Sequence, residues 1–142
     1  MVEPPIVVQQ TLHSTPERVW QALTQVQQMR QWYFPEIQNF EAIPQSRSRF
    51  TVDVEGQAFV HEWQVSAAQP HQLLAYTWAY RGYPGVSSVQ WKLASAGDQT
   101  HLTLTHTDAH LHTGHDLFSR ENGVVGWHWL VQVSLVNYLK GP

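Results

Sequence analysis

One stretch limits the fold more than any other: the run Asn122-Gly-Val-Val-Gly-Trp-His-Trp-Leu-Val-Gln-Val-Ser-Leu-Val-Asn-Tyr-Leu-Lys140. It is the longest run free of proline and of interior turn clusters, and Gly141-Pro142 follow it as helix stop signals. As a helix it spans roughly 27 Å, about the width of a small domain. One stripe reads Val124, Trp127, Val131, Ser134, Tyr138, yet Leu130, Val133, Val136 and Leu139 lie off that stripe and are apolar too. A helix apolar on most sides has to be covered on most sides. His128, Gln132 and Asn137 interrupt it too often for a membrane span. The pattern therefore predicts a helix lying in the palm of a folded sheet.

The remaining residues supply that sheet. Ile6, Val8, Gln10 and Leu12 fall on one side of a first strand. Ser14 and Glu17 form a capping box with Pro16 in the first turn, and Val19, Trp20, Leu23 and Val26 make the apolar face of the helix that follows. Gln27 to Phe34 predicts a second short helix, stopped by Pro35. From Phe40 the period changes to two. Phe50, Val52, Val54 make one strand, with a hairpin turn at Gly56-Gln57. Phe59, His61, Trp63, Val65 make the next, and Leu74, Tyr76, Trp78, Tyr80 another. Val89, Trp91, Leu93 and then Leu102, Leu104, His106 complete the series. Short turns join these runs, as in an antiparallel meander with one apolar face. Ala109 to Glu121 is an irregular connection to the last helix. The expectation is one α+β domain over residues 1–142: a curved antiparallel sheet of six to seven strands wrapped around a long C-terminal helix, with two short helices after the first strand.

Composition narrows the function classes. Apolar residues make up 42%, which excludes a disordered chain, while charged residues are only 13%. A net charge of −3 argues against nucleic-acid binding through phosphates, and the scattered Lys and Arg form no membrane-binding patch. The absence of cysteine excludes disulfides, thiolate zinc sites and a cysteine nucleophile, and is compatible with the cytoplasm. Met1-Val-Glu-Pro-Pro has no basic region followed by an apolar run, so no signal peptide is expected.

Pro16-Glu-Arg-Val-Trp-Gln-Ala-Leu23 followed by Trp32 resembles the opening of the SRPBCC or START-like superfamily. Leu73-Leu-Ala-Tyr-Thr-Trp78, Val89-Gln-Trp-Lys-Leu93, Thr100-His-Leu-Thr-Leu-Thr-His106 and Gly126-Trp127 with Leu130 resemble its branch homologous to the activator of the heat-shock-protein-ninety ATPase. The resemblance runs from about Ile6 to Lys140 and implies the helix-grip fold, with a cavity between sheet and helix. Two departures stand out. Many relatives carry a glycine pair where this chain has Ser46-Arg-Ser-Arg49. The eukaryotic co-chaperones also carry a separate N-terminal domain that engages the chaperone, for which 142 residues leave no room.

The alternation aims His61, Trp63, Tyr76, Trp78, Val89, Trp91, Leu104 and His106 at Trp127, Leu130, Val131, Ser134 and Tyr138 of the helix. Large aromatics with a few polar tips line small-molecule pockets, and they also fill cores. His106, Asp108, His110, His112, His115 and Asp116 have spacings that suit a metal site, but without a His-x-x-x-His helix pair a histidine-rich surface connection is the favoured reading, and no metal or other cofactor is expected. No G-x-S-x-G elbow, phosphate loop or H-E-x-x-H occurs.

Three readings follow. The first is a non-enzymatic protein binding a small hydrophobic, aromatic molecule between sheet and helix. The second is a polyketide cyclase- or hydrolase-like enzyme, with His61 or His106 carrying a proton and Tyr76 or Ser134 placing a carbonyl. The third, implied by the resemblance alone, is a co-chaperone-like interaction protein. Trp129, Val133 and Val136 face a second copy of the chain if the sheet leaves them uncovered, which adds a homodimer to the expectations.

Overall fold

The computed structural model describes residues 3–140. In chain order they form β1 (Ile6–Leu12), α1 (Pro16–Thr24), α2 (Val26–Trp32), β2 (Arg47–Val54), β3 (Gln57–Gln69), β4 (Leu73–Tyr80), β5 (Ser87–Ala96) and β6 (Gln99–Thr107). Two single turns, Ala109–Leu111 and Asp116–Phe118, lead to the terminal helix. All neighbouring strands are antiparallel in the order β1-β6-β5-β4-β3-β2, so the first strand closes the sheet beside the last. The sheet is curved around the terminal helix, as the alternation required. A bulge between Val65 and Ala67 on β3 contributes to that bend.

The helix starts earlier than its apolar pattern suggested. Ser119 caps it, its hydroxyl accepting from the Asn122 amide at 3.2 Å, and α3 runs Arg120–His128. Trp129–Ser134 then widen into a π-helical segment before α4 (Leu135–Leu139) resumes the ordinary winding. Wider winding brings residues four apart into line. Trp127, Val131 and Leu135 therefore form the buried stripe, where a 3.6-residue period had placed Ser134. Ser134 instead donates its hydroxyl to the Trp32 carbonyl at 2.6 Å. Gly141-Pro142, the expected stop, lie outside the described residues.

Three local expectations are corrected. Thr15, not Ser14, caps α1, accepting from the Arg18 amide at 3.3 Å, because Pro16 occupies the first helical position directly after it. The β2–β3 turn sits at Glu55-Gly56, both with positive φ (53° and 85°), which places Gln57 in the strand. The period of two begins at Arg47 rather than at Phe40, since Asn39 to Ser46 run irregularly.

The terminal helix does not cover the concave face alone. Met29, Trp32 and Tyr33 are buried in the same core. Tyr33 stacks on Trp32 (ring centroids 4.8 Å) and on Trp63 (5.4 Å), with Trp91 edge-on at 6.0 Å. The Trp32 indole donates to the Ala22 carbonyl at 2.7 Å, which ties α1 to α2. Aromatic rings thus fill the middle of the palm.

Candidate ligand cavity and its linked histidines

What the rings leave open lies at one end of the palm. A cavity of about 180 Å³ is bounded by Ile6 of β1, Phe34 after α2, Trp78 and Tyr80 of β4, and His106 of β6. Asn122, Gly123, Gly126, Trp127 and Leu130 of the terminal helix form the opposite side. Ala109, His112, Leu117, Phe118 and Ser119 close the end. An apolar cavity of roughly 150 Å³ holds one benzene-sized ring, whereas drug-sized ligands need roughly 300 Å³ or more. A larger groove of about 730 Å³ lies beside Arg47, Arg49 and Glu62, with charged and polar side chains making up much of its lining.

The closing segment is held by backbone contact. Gly85, at φ 100°, lies so close to Leu111 that a Cβ there would overlap its carbonyl. Tyr83 packs edge-on against Phe118 (5.0 Å), and Tyr80 stacks on that same ring (4.3 Å). The loop Arg81-Gly-Tyr-Pro-Gly85 therefore braces the closing segment from behind without lining the cavity itself.

Of the residues the sequence aimed inward, four line this cavity: Trp78, His106, Trp127 and Leu130. Trp63, Tyr76, Val89, Trp91, Leu104 and Val131 are buried away from it, packed in the core. His61 is buried as well, its Nδ1 3.1 Å from the Phe59 carbonyl. The Tyr76 hydroxyl is engaged by Tyr33 (2.7 Å) and by the Trp91 indole (3.0 Å), and Ser134 by Trp32. Neither hydroxyl is left to place a carbonyl group. Phe34, Tyr80, His112 and Phe118 also line the cavity; the sequence points to none of them as a ligand-pocket residue and marks His112 only as a member of the histidine-rich connection.

The histidine-rich connection divides rather than gathers. His110 is exposed, and His115 accepts from the Leu117 amide at 2.9 Å. His112 turns inward and is 6% exposed, unlike the surface residue the sequence suggested. Among the described residues, no three His, Cys, Asp or Glu side chains gather as a metal-binding group.

His106 and His112 meet at Ser87. The Trp127 indole donates to His106 Nδ1 at 2.9 Å. An indole only donates, so His106 carries its proton on Nε2 and donates to Ser87 Oγ at 2.7 Å. The Ser87 hydroxyl proton is thereby directed to His112 Nε2, also at 2.7 Å, in preference to the Trp78 carbonyl at 3.4 Å. His112 then carries its proton on Nδ1. The Pro84 carbonyl lies on that side and partly offsets the lowering of the His112 pKa, though the geometry falls short of a hydrogen bond. Burial lowers His106 to about 4, with His112 adding to the effect. Burial likewise lowers His61 to about 4, its contact with the Phe59 carbonyl opposing. All three imidazoles are neutral at pH 7. Burial raises the Tyr80 hydroxyl to about 12. The Trp78 indole N–H makes no hydrogen bond of proper geometry, although it comes near enough to Tyr80 to moderate that rise. The cavity is thus lined largely by uncharged aromatic rings, and Trp78 Nε1 and His112 Nδ1 are buried behind that lining without a hydrogen-bond partner.

A curved antiparallel sheet gripping a C-terminal helix, with residual space between them, defines the helix-grip class of proteins. The chain belongs within it to the family of Activator of Hsp90 ATPase homolog 1-like proteins, whose model matches residues 13–140. No curated protein matches the chain. Among solved structures, protein MLL2253 from Mesorhizobium loti is 24% identical with a TM-score of 0.77, the match covering 96% of each chain. Protein CV1439 from Chromobacterium violaceum is 19% identical with a TM-score of 0.82, over 98% of this chain and 99% of that one. The Aha1 dimer from Colwellia psychrerythraea is 18% identical with a TM-score of 0.67, over 98% and 100%. At these identities the likeness shows the fold. Among the described residues no helix is long and apolar enough to cross a membrane.

Proposed function

We propose that this chain binds a small, uncharged molecule built on a single aromatic or comparably sized ring, in the space between β4, β6 and α3. The observation that carries this reading is the cavity of about 180 Å³ left between sheet and helix, lined mainly by aromatic and apolar side chains with a few polar ones at its edge. The volume fits one ring, and the neutral imidazoles disfavour a charged guest.

Phenol and benzaldehyde titrated against intrinsic Trp fluorescence test this, with two of the seven Trp lining the cavity. Saturable quenching that is lost in Gly126→Phe, whose ring would enter the cavity, supports the reading. No saturable signal from any single-ring compound rejects it.

One observation favours a second reading, a cyclase- or hydrolase-like reaction at the same place. The Ser87 hydroxyl lies 2.7 Å from His112 Nε2, the distance at which a hydroxyl hands its proton to a base. His112 reaches the cavity and Ser87 does not, so His112 is the proton carrier between them. Conversion of a bound ester or ketone that is lost in Ser87→Ala, with binding retained, distinguishes this from simple binding. Chaperone engagement rests on family membership alone, with no surface of this chain to argue for it.

A further inference from the structure

The two edges of the sheet are finished differently. Beside β1, Arg120 donates to the Pro4 carbonyl at 2.7 Å, and Gln132 of the terminal helix donates to the Gln9 carbonyl at 3.2 Å. Among the described residues, no side chain hydrogen-bonds to the backbone of β2 along its middle. Its register with β3 is unbroken from Arg47 opposite Gln64 to Val54 opposite Gln57. The two-residue turn makes Val54 and Gln57 a hydrogen-bonded pair, and alternation then commits the backbone groups of Val52, Phe50 and Ser48 to β3. The N–H and C=O of Arg49, Thr51 and Asp53 consequently face the open side. The preceding connection touches the strand at its start, where the Asn39 amide donates to the Arg47 carbonyl at 3.2 Å. Beyond that point a groove of about 560 Å³ separates Glu36 and Gln38 from Arg49 and Thr51. β2 has no proline, bulge or inward-pointing charge to blunt this edge; its one such device is its exposed charges, Arg47, Arg49 and Asp53, which repel a mismatched strand but not one of complementary charge.

The segment Arg47-Ser-Arg-Phe-Thr-Val-Asp-Val-Glu55 is also self-complementary about Thr51. Two copies paired antiparallel through Thr51 set Arg49 opposite the second copy's Asp53 and Arg47 opposite its Glu55. All five of these odd-numbered residues are exposed, on the side of the strand away from the buried Ser48 and Phe50. On the concave side Phe50 meets the second copy's Val52, apolar against apolar. Centring the pair on Arg49 or on Asp53 would instead set like charges opposite one another. Within the chain, Arg49 has only the exposed Glu62 at 4.0 Å, and among the described residues Arg47 and Asp53 form no ion pair. The positions with free backbone groups are thus the positions with matching charges.

We propose that β2 pairs with β2 of a second copy of this chain, in register about Thr51, joining the two sheets into one. Sedimentation equilibrium of the full chain tests this with Arg49→Glu and Asp53→Arg. Each variant alone places like charges across the new pairing and sediments as a monomer at concentrations where the parent is dimeric. Mixed in equal amounts they restore both ion pairs, and the dimer mass returns. A parent that is monomeric at every concentration, a dimer that neither variant weakens, or a mixture that stays monomeric would overturn the proposal.

Discussion

Trp127 Nε1 lies 2.9 Å from His106 Nδ1, and this contact alone determines which nitrogen of that imidazole is protonated. Trp127→Phe removes the donor and leaves His106 Nδ1 buried without a partner. Such an orphaned group costs about 1–3 kcal/mol, to which the lost volume adds. Urea unfolding should show that loss, and nitrogen chemical shifts of His106 should change from the Nε2–H pattern. An unchanged tautomer in the variant would mean that Ser87, not Trp127, sets the proton position.

Acid should unfold the protein through its histidines. His61 and His106 have folded-state values of about 4, held down mainly by burial, against an ordinary value of about 6.5. His112, which faces His106 across Ser87, is shifted in the same direction. In the window between 4 and 6.5 the unfolded chain binds more protons than the folded one, so stability rises with pH there. It is fully present above about 6.5, is lost as pH falls towards 4, and levels off below for these groups. Denaturant midpoints across that window should fall steeply. His61→Phe, next to Phe50 (4.9 Å) and Tyr80 (4.9 Å), should flatten the slope by about one proton.

The parts of this fold written in local periodicity were legible, and the parts set by tertiary contact were not. Alternation in β3 to β6 located the inward Trp and Tyr because a strand has only two faces. The helix was harder. Its pattern is apolar on most sides, so nothing in it marks the π-helical winding that brings Leu135 inward and turns Ser134 to the Trp32 carbonyl. Tyr33 and Phe34 read as the end of a short helix, and only folding sets them against Trp63 and Phe50. His112 had the composition of a surface loop. Its inward turn follows from Gly85 packing on the Leu111 backbone, a contact made across 26 residues of sequence (111 − 85). The cavity is a residue of imperfect filling, which no local pattern encodes.

Two glycines that both border this region should respond to alanine with opposite signs. Gly126 lies in α3, and a Cβ there meets nothing within 4 Å. Gly126→Ala should stabilise by about 0.5–1 kcal/mol, because alanine restricts the unfolded chain and favours helix. Gly85 has φ 100° and no room beside the Leu111 carbonyl. Gly85→Ala should destabilise by at least about 1–3 kcal/mol from backbone strain alone, and should loosen the closing segment. Thermal unfolding gives the signs, and amide exchange at Leu111 and His112 reports the loosening. Equal signs would mean that the 109–119 segment is not fixed by this contact.

The pair Tyr33 and Tyr76 should be asymmetric although their hydroxyls share one hydrogen bond of 2.7 Å. The Trp91 indole donates to Tyr76 at 3.0 Å, so the Tyr76 oxygen serves two neighbours and the Tyr33 oxygen serves one. Both rings are buried, at 1% and 6% exposure, and water cannot replace a lost partner without opening the core. Tyr76→Phe strands both the Trp91 N–H and the Tyr33 hydroxyl and should cost about 2–4 kcal/mol, at about 1–2 kcal/mol for each stranded group. Tyr33→Phe leaves Tyr76 still bonded to Trp91 and should cost about 1 kcal/mol. The double variant should lie closer to Tyr76→Phe alone than to the sum, since the shared bond is lost only once. Denaturant unfolding of the three variants measures each term. Strict additivity would show that the two hydroxyls do not interact in solution and that this hydrogen bond contributes nothing to the core.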